Sequence, residues 1–252
     1  MVDFELTNLA LLALFLAVTA ASFITSVTGM AGGVLMFAAM NLCIPVRALV
    51  PIHGVVQLFN NAARSIYLRR YLRWPIIWPF TLGALLGVTL TTLFVARLVG
   101  EFWPLLIILL LIAYTLFRPA RLPPIRVSDG NYFWVGVATG SLGIVAGIID
   151  PILAIFFMRD DLSKEAIVAN KSLLQMVVHF SKIPAFLYLG FPFLEHLGLL
   201  IILSLAGVLG ARIGIHVLYR INANFFMRLM KVALLLAGLR IGYQLLEMSL
   251  PL

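Results

Sequence analysis

The chain has 252 residues, 63% of them hydrophobic and only 11% charged, with a net charge of +8 and a mean hydropathy of +1.09. Soluble domains are about half apolar and roughly a quarter charged, so the solvent of this chain is a bilayer and its class is integral membrane protein. No basic run with interleaved aromatics argues for nucleic acid, and the lone Cys43 excludes an intrachain disulfide, a CxxC motif or a zinc cluster.

In chain order, "MVDFELTN" carries Asp3 and Glu5 and no Lys or Arg. A cleaved signal peptide would need a basic n-region, so residues 6–28 read as a retained membrane helix. Hydrophobic runs bounded by Pro, Gly or charge continue at 30–45, 47–68, 74–96, 101–117, 131–147, 149–158, 164–188, 193–218 and 225–246. Most approach the roughly 20 residues that a spanning helix needs. The pieces near 29–45 and 147–158 are too short, and each follows a glycine-containing break, so they read as interrupted or re-entrant half-helices.

The first break, "TGMAGGV" (Thr28 to Val34), puts three glycines where a helix should continue. Glycine permits positive φ and close backbone approach. A helix that restarts beyond it, at Gly32 and Gly33, exposes free N–H groups and a positive dipole end suited to an anion. The next helix carries "HGVVQLFNNAARS", in which His53, Gln57, Asn60 and Arg64 fall within an arc of about 60° on a helical wheel, with Asn61 beside them. An ionised side chain at mid-bilayer costs on the order of 3 kcal/mol, so this stripe should face the bundle interior.

Arg69, Arg70 and Arg73 then form a basic loop, and "GALLG" (Gly83–Gly87) reads as a small-residue helix contact. A second basic loop holds Arg118, Arg121 and Arg126. In the later half "AGIIDPIL" occupies the place of the first break. Asp150 and Pro151 read as an N-cap and first helical residue; the alternative is a carboxylate that pairs with Lys171 or Lys182, or takes up a proton. The following helix carries Asn170 and a second stripe, Lys171, Gln175, His179 and Lys182, within about 80°. His53 and His179 taken singly read as hydrogen-bonding fillers, and neither has the neighbours of a metal ligand. "GVLG" (Gly207–Gly210) reads as another helix contact, and Arg212 and Arg240 as cations that snorkel or pair near helix ends.

Basic residues assign the sides. The loops with Arg69–Arg73, Arg118–Arg126, Arg159 with Lys164, and Arg220 through Lys231 all fall on one face, the cytoplasmic one. The opposite loops hold only Arg47 and Arg97, and both termini then lie outside. An offset of 118 places Gly29 on Gly147, Ala48 on Ala166, Val50 on Val168, Gln57 on Gln175 and Arg64 on Lys182. An offset of 123 places Gly87 on Gly210 and Arg97 on Arg220. Because the basic 69–73 loop maps onto the uncharged 187–191 loop, the halves are expected to be inverted. The expected architecture is an all-α polytopic membrane protein of two inverted repeats with about five helical segments each. Residues 1–120 and 131–252 are the repeats, and 121–130 is a cytoplasmic linker.

"ITSVTGMAGGVLMF", "LRRYLRWPIIWPFTLGALLGV" and "ATGSLGIVAGIIDPILAIFFMRDDLSKEAIVAN" resemble the sulfite exporter TauE/SafE family of membrane permeases over roughly residues 6–247. The resemblance implies two related halves and movement of sulfur-containing anions such as sulfite or sulfonates. The chain departs from the family pattern at Ile149 and Asp150, which stand where consecutive glycines are usual.

Residues alone deliver "small anion", and a secondary transporter of it, with the resemblance favouring export across a bacterial-type inner membrane. Arg64, Lys182 and Lys171 would neutralise the substrate, Gln57, Asn60, Asn61, Asn170 and Gln175 would hydrogen-bond it, and backbone near Gly32, Gly33 and Pro151 would complete the contacts. A passive anion channel is the runner-up. A membrane enzyme would want a nucleophile with its base or an HExxH motif, and a scaffold would not need the buried cations. No Walker A loop supports direct ATP use and no cofactor is implied. The expected partners are the anion and membrane lipid, with the chain a monomer or homodimer.

Overall fold

The computed structural model describes residues 6–95, 102–117, 127–145, 149–158 and 161–249. Arg97, Arg118, Arg121, Arg126, Gly147 and Arg159, used above for sides and repeats, lie outside these residues. Ten α-helices follow one another among the described residues: α1 Asn8–Thr28, α2 Gly32–Asn41, α3 Val46–Tyr67, α4 Trp74–Leu90, α5 Phe102–Phe117, α6 Tyr132–Val145, α7 Asp150–Phe157, α8 Lys164–Tyr188, α9 Leu197–Arg220 and α10 Ala223–Ser249. No strand occurs among them. The expected segments and both short ones are present.

Local chemistry sets the boundaries. The Thr7 hydroxyl accepts from the Ala10 N–H at the start of α1, and Ser163 does the same for Ala166 at the start of α8, each at 3.2 Å. Helix α1 ends at Gly29, whose φ of 75° closes it in the left-handed region. Three residues on, Gly32 restarts the chain as α2 hard against α1. A Cβ there would lie 1.8 Å from Thr25 Oγ1 and 1.9 Å from the Ala21 carbonyl, so no other residue fits this reversal. Ala31, between them, also has φ 75°, an uncommon conformation for a residue with a Cβ. Helix α4 begins with Pro75 in its first turn, where a missing N–H costs nothing, and passes into a π-helical turn at Thr91–Val95.

The helices pack in matched pairs. Helix α4 lies along α6, α1 along α9, α3 against α8, and α5 against α10, while α3 also touches α9 and α8 touches α4. Glycine makes the first two contacts close. A Cβ at Gly87 would stand 2.3 Å from the Val137 carbonyl, and one at Gly210 would stand 2.1 Å from the Thr19 carbonyl. The small-residue contacts expected at Gly83–Gly87 and Gly207–Gly210 are therefore backbone-to-backbone approaches.

Burial is ordered for lipid. Helices Asn8–Thr28, Trp74–Phe94 (α4 with its π turn) and Phe193–Arg220 (α9 with the 3₁₀ turn before it) are long and apolar enough to cross a membrane. They turn Leu9, Leu12, Leu16, Leu82, Ile201 and Leu205 outward. All four tryptophans, Trp74, Trp78, Trp103 and Trp134, are exposed and sit within the first turns of their helices, where an indole favours the headgroup level. Helices α3 and α8, equally long, hold their polar residues inward. The molecule is apolar outside and polar at its centre.

Candidate functional site

Both polar stripes meet at that centre. Helices α3 and α8 lie against each other, and between them Arg64, Lys171 and Lys182 are 0%, 1% and 2% exposed. Six of the predicted residues, His53, Gln57, Asn60, Asn61, Gln175 and His179, are buried beside them. Charges so placed must be hydrogen-bonded or paired.

Arg64 is held by three side chains. Its Nε donates to Ser172 Oγ at 3.0 Å, one terminal nitrogen to Asn60 Oδ1 at 2.8 Å and the other to Asn61 Oδ1 at 2.6 Å. The two asparagines are fixed in turn. Asn60 donates to Gln57 Oε1 at 2.9 Å and Asn61 to the Gln57 carbonyl at 2.8 Å. The hydroxyl of Ser22 in α1 lies within hydrogen-bond reach of both Asn60 Oδ1 and the Gly207 carbonyl of α9, the latter at 2.6 Å, and its one proton is shared between them. The guanidinium thus sits in a relay that ties α1, α3, α8 and α9 together.

Lys171 is held differently. Its ammonium forms an ion pair with Asp150 Oδ1 at 2.6 Å and donates to the carbonyl of Gly29, the residue that ends α1. Gln175, one turn along α8, donates to the same carboxylate oxygen at 2.7 Å. The unpaired carbonyls at a helix C-terminus attract a cation, and the first turn of a helix attracts an anion. Lys171 and Asp150 fill those two places at the ends of α1 and α7, and so join the two breaks through α8. Asp150 is the first helical residue of α7, Ile149 occupies the N-cap and no side chain caps the helix. The reading of Asp150 as an N-cap is corrected, and the alternative reading, a carboxylate paired with Lys171, is the one found. An ammonium buried at 2.6 Å binds a carboxylate more strongly than a backbone N–H does.

The two restarted helices meet here. A Cβ on Gly33, in the first turn of α2, would lie 2.8 Å from Gln57 Nε2 and 3.3 Å from Asp150 Oδ2. Pro151 follows, buried. His53 donates from Nε2 to the Gly33 carbonyl at 3.1 Å, and its ring stands edge-on to His179 at 6.1 Å between centroids. Gly33, His53, Gln57, Ile149, Asp150, Gln175 and His179 enclose a cavity of about 10 Å³. That is near the lower limit for one water, so the predicted site residues converge in an occluded centre rather than around an open vestibule.

Asn170 stands apart, whereas Lys182 lies close enough to His53 and His179 to act electrostatically on both. The stem of Lys182 runs between α3 and α6, its Cδ 4.0 Å from where a Cβ on Gly54 would be and its Cε 3.5 Å from one on Gly143. Asn170 turns to the basic loop, donating to the Tyr71 and Ala166 carbonyls at 3.0 and 2.7 Å and accepting from the Arg73 N–H at 2.7 Å. Sequence reasoning missed Ser22, Ser172 and the Gly29 carbonyl. Ser172 lies about 20° outside the arc drawn for the second stripe, and a slightly wider arc would have included it. A main-chain carbonyl leaves no such signal. Among the described residues no group of His, Cys, Asp and Glu could hold a metal ion.

A family model described as "Sulfite exporter TauE/SafE" matches residues 14–241. The chain matches no curated protein and no solved structure.

Proposed function

The chain belongs to the sulfite exporter TauE/SafE family of membrane permeases, and we propose that it is a secondary transporter moving small sulfur-containing anions of the sulfite or sulfonate type outward across the membrane. The carrying observation is the burial of Arg64, Lys171 and Lys182 on two facing stripes where two broken helices meet. Cations are retained at such depth for a partner of opposite sign. The N-terminal turn of α2, at Gly33, adds N–H groups and a favourable dipole for an oxyanion.

Alternating access requires two bodies that move against each other. The repeats are taken as residues 1–120 and 131–252, inverted relative to one another. The packing pattern supports the repeat, because under it α4 corresponds to α9 and α6 to α1. The α4–α6 contact then becomes the α9–α1 contact, with Gly87 and Gly210 at corresponding places in each. Both close contacts run between the halves, so the moving bodies each draw helices from both. The α3–α8 contact maps onto itself, as a binding axis should. The nearly closed cavity of about 10 Å³ fits an occluded stage between outward and inward openings. The basic loop at Arg69–Arg73 is taken as cytoplasmic, with both termini outside.

A melting screen of purified protein against sulfite, thiosulfate, sulfate, sulfoacetate, taurine and simple carboxylates tests this reading. A ligand at a hundred times its Kd stabilises the native state by about 2.7 kcal/mol, so a true substrate raises the melting temperature by several degrees. Sulfur oxyanions should do so and carboxylates should not. A flat response to every anion would refute the proposal.

A further inference from the structure

The carboxylate of Asp150 has one oxygen in excess. Oδ1 receives both Lys171 and Gln175, at 2.6 and 2.7 Å, whereas Oδ2 is buried without a hydrogen-bond partner. That oxygen points toward Gly33, where an added Cβ would lie 3.3 Å away. A second orphan, Nδ1 of His179, is buried nearby. Asp150 and His179 both line the small central cavity, and Asp150 is the one fixed charge among its lining residues. An anion drawn into this centre meets a carboxylate oxygen, and the ammonium closest to it is already matched by that carboxylate.

Two negative groups a few ångströms apart in a dry site repel each other, and uptake of one proton relieves that repulsion. Protonation at Oδ2 removes the repulsion, turns the orphan acceptor into an O–H donor and releases Lys171 to the incoming anion. We propose that Asp150 is the coupling site of this transporter, taking one proton onto Oδ2 from water as each anion binds and returning it to water as the anion leaves. The step is a plain protonation of a carboxylate, and the proton and anion cross together in the direction set by the sum of their gradients, outward when the anion's gradient is the larger. This inference rests on the transporter reading above.

The surroundings leave few competitors. Around Asp150, α8 presents Lys171, Gln175 and His179, with Lys182 further along. Helix α3 presents His53, Gln57 and, at longer range, Arg64. Helix α2 offers Gly33. Helices α5 and α10, which also pack on α7, contribute buried apolar side chains such as Ile108, Met230 and Leu234. The other half of the molecule lacks the device. At the offset of 118, Gly32 stands for Asp150 and His53 for Lys171, and His53 contacts a neutral carbonyl. A single proton site per anion site follows.

The test uses purified full-length protein and three anions that do not titrate near neutrality: thiosulfate, sulfate and isethionate. If one proton enters with each anion, affinity falls about tenfold per pH unit as pH rises, or about a hundredfold from pH 6 to pH 8. Calorimetry in buffers of different ionisation enthalpy counts the proton directly. D150N should remove both the slope and the proton uptake. Anion binding by wild type without slope or uptake would overturn the coupling while leaving the anion site standing. A slope retained in D150N would move the proton elsewhere and overturn the assignment. If D150N does not fold, H53Q/H179Q replaces it: an unchanged slope supports Asp150, a lost slope assigns the proton to imidazole and refutes the inference. Failure of wild type to bind any of the three at any pH removes the transporter reading, and the coupling with it.

Discussion

Helices α3 and α8 each bring a stripe of four polar residues to the centre, yet they use cations in opposite ways. Arg64 of α3 has every donor nitrogen engaged by neutral side chains, two from its own helix and one, Ser172, from α8. Lys171 of α8 faces a countercharge on another helix and a carbonyl from the other half of the chain. The first arrangement fixes a geometry. The second can be exchanged, because an incoming anion competes for the ammonium with the one group already holding it. A buried cation in each stripe therefore does not imply the same role in each.

The most damaging change should be at the exchangeable pair. Lys171→Met leaves Asp150, 4% exposed, without its ion-pair partner, and breaking one side of a buried pair costs about 3–5 kcal/mol. The double variant Lys171→Met/Asp150→Asn should recover much of that loss, because no buried charge is left alone. Both are read as unfolding free energies in detergent. A double variant no more stable than Lys171→Met would mean that the pair is not a unit. Arg64→Gln should come next, losing charged hydrogen bonds to Asn60, Asn61 and Ser172 for about 2–4 kcal/mol. The loss should not be restored by Asp150→Asn. Restoration would merge the two stripes into one electrostatic network.

The helix boundaries and the two stripes were legible in the sequence because periodicity, glycine and proline set them locally. The breaks before α2 and α7 were readable from "TGMAGGV" and "IIDP" for the same reason. What each polar residue touches was readable only in part, in the alternative pairing of Asp150 with Lys171. The wheel places Asn170 one residue from Lys171, yet Asn170 serves the loop at Tyr71–Arg73 while Lys171 serves the core. Adjacent residues on a helix differ by about 100°, and which of the two faces the centre depends on neighbours distant in sequence. Asp150 misled for a related reason. An Asp-Pro dipeptide before an apolar run is a strong capping signal, and only the approach of α8 supplies the cation that overrides it.

Glycine substitution tests whether the two halves are built alike. Gly87→Ala would drive a Cβ to 2.3 Å from the Val137 carbonyl, and Gly210→Ala to 2.1 Å from that of Thr19. Overpacking of this kind costs about 1–3 kcal/mol. The two losses should agree within about 1 kcal/mol, near the limit of what such contacts resolve. A severe effect at one glycine and none at the other would argue that the helices are not counterparts.

The smallest effect is expected at the edge of the molecule, and it separates surface charge from central charge. Arg73 pairs with Asp129 at 3.3 Å and Asp161 at 3.9 Å, joining the loop before α4 to the segments before α6 and α8. Its side chain is 39% exposed and its partners 33% and 43%, so water and salt screen both attractions. Exposed pairs contribute about 0–1 kcal/mol, and Arg73→Ala should stay within that range, with 0.5 M salt reducing what little remains. The loop does not depend on these charges for its position, because the buried amide of Asn170 already binds the Tyr71 carbonyl and the Arg73 N–H. A loss above 2 kcal/mol in Arg73→Ala would show that the rim charges act as a clasp between the halves. The contrast between a fixed stripe and an exchangeable one would then have to include the loop that closes over them.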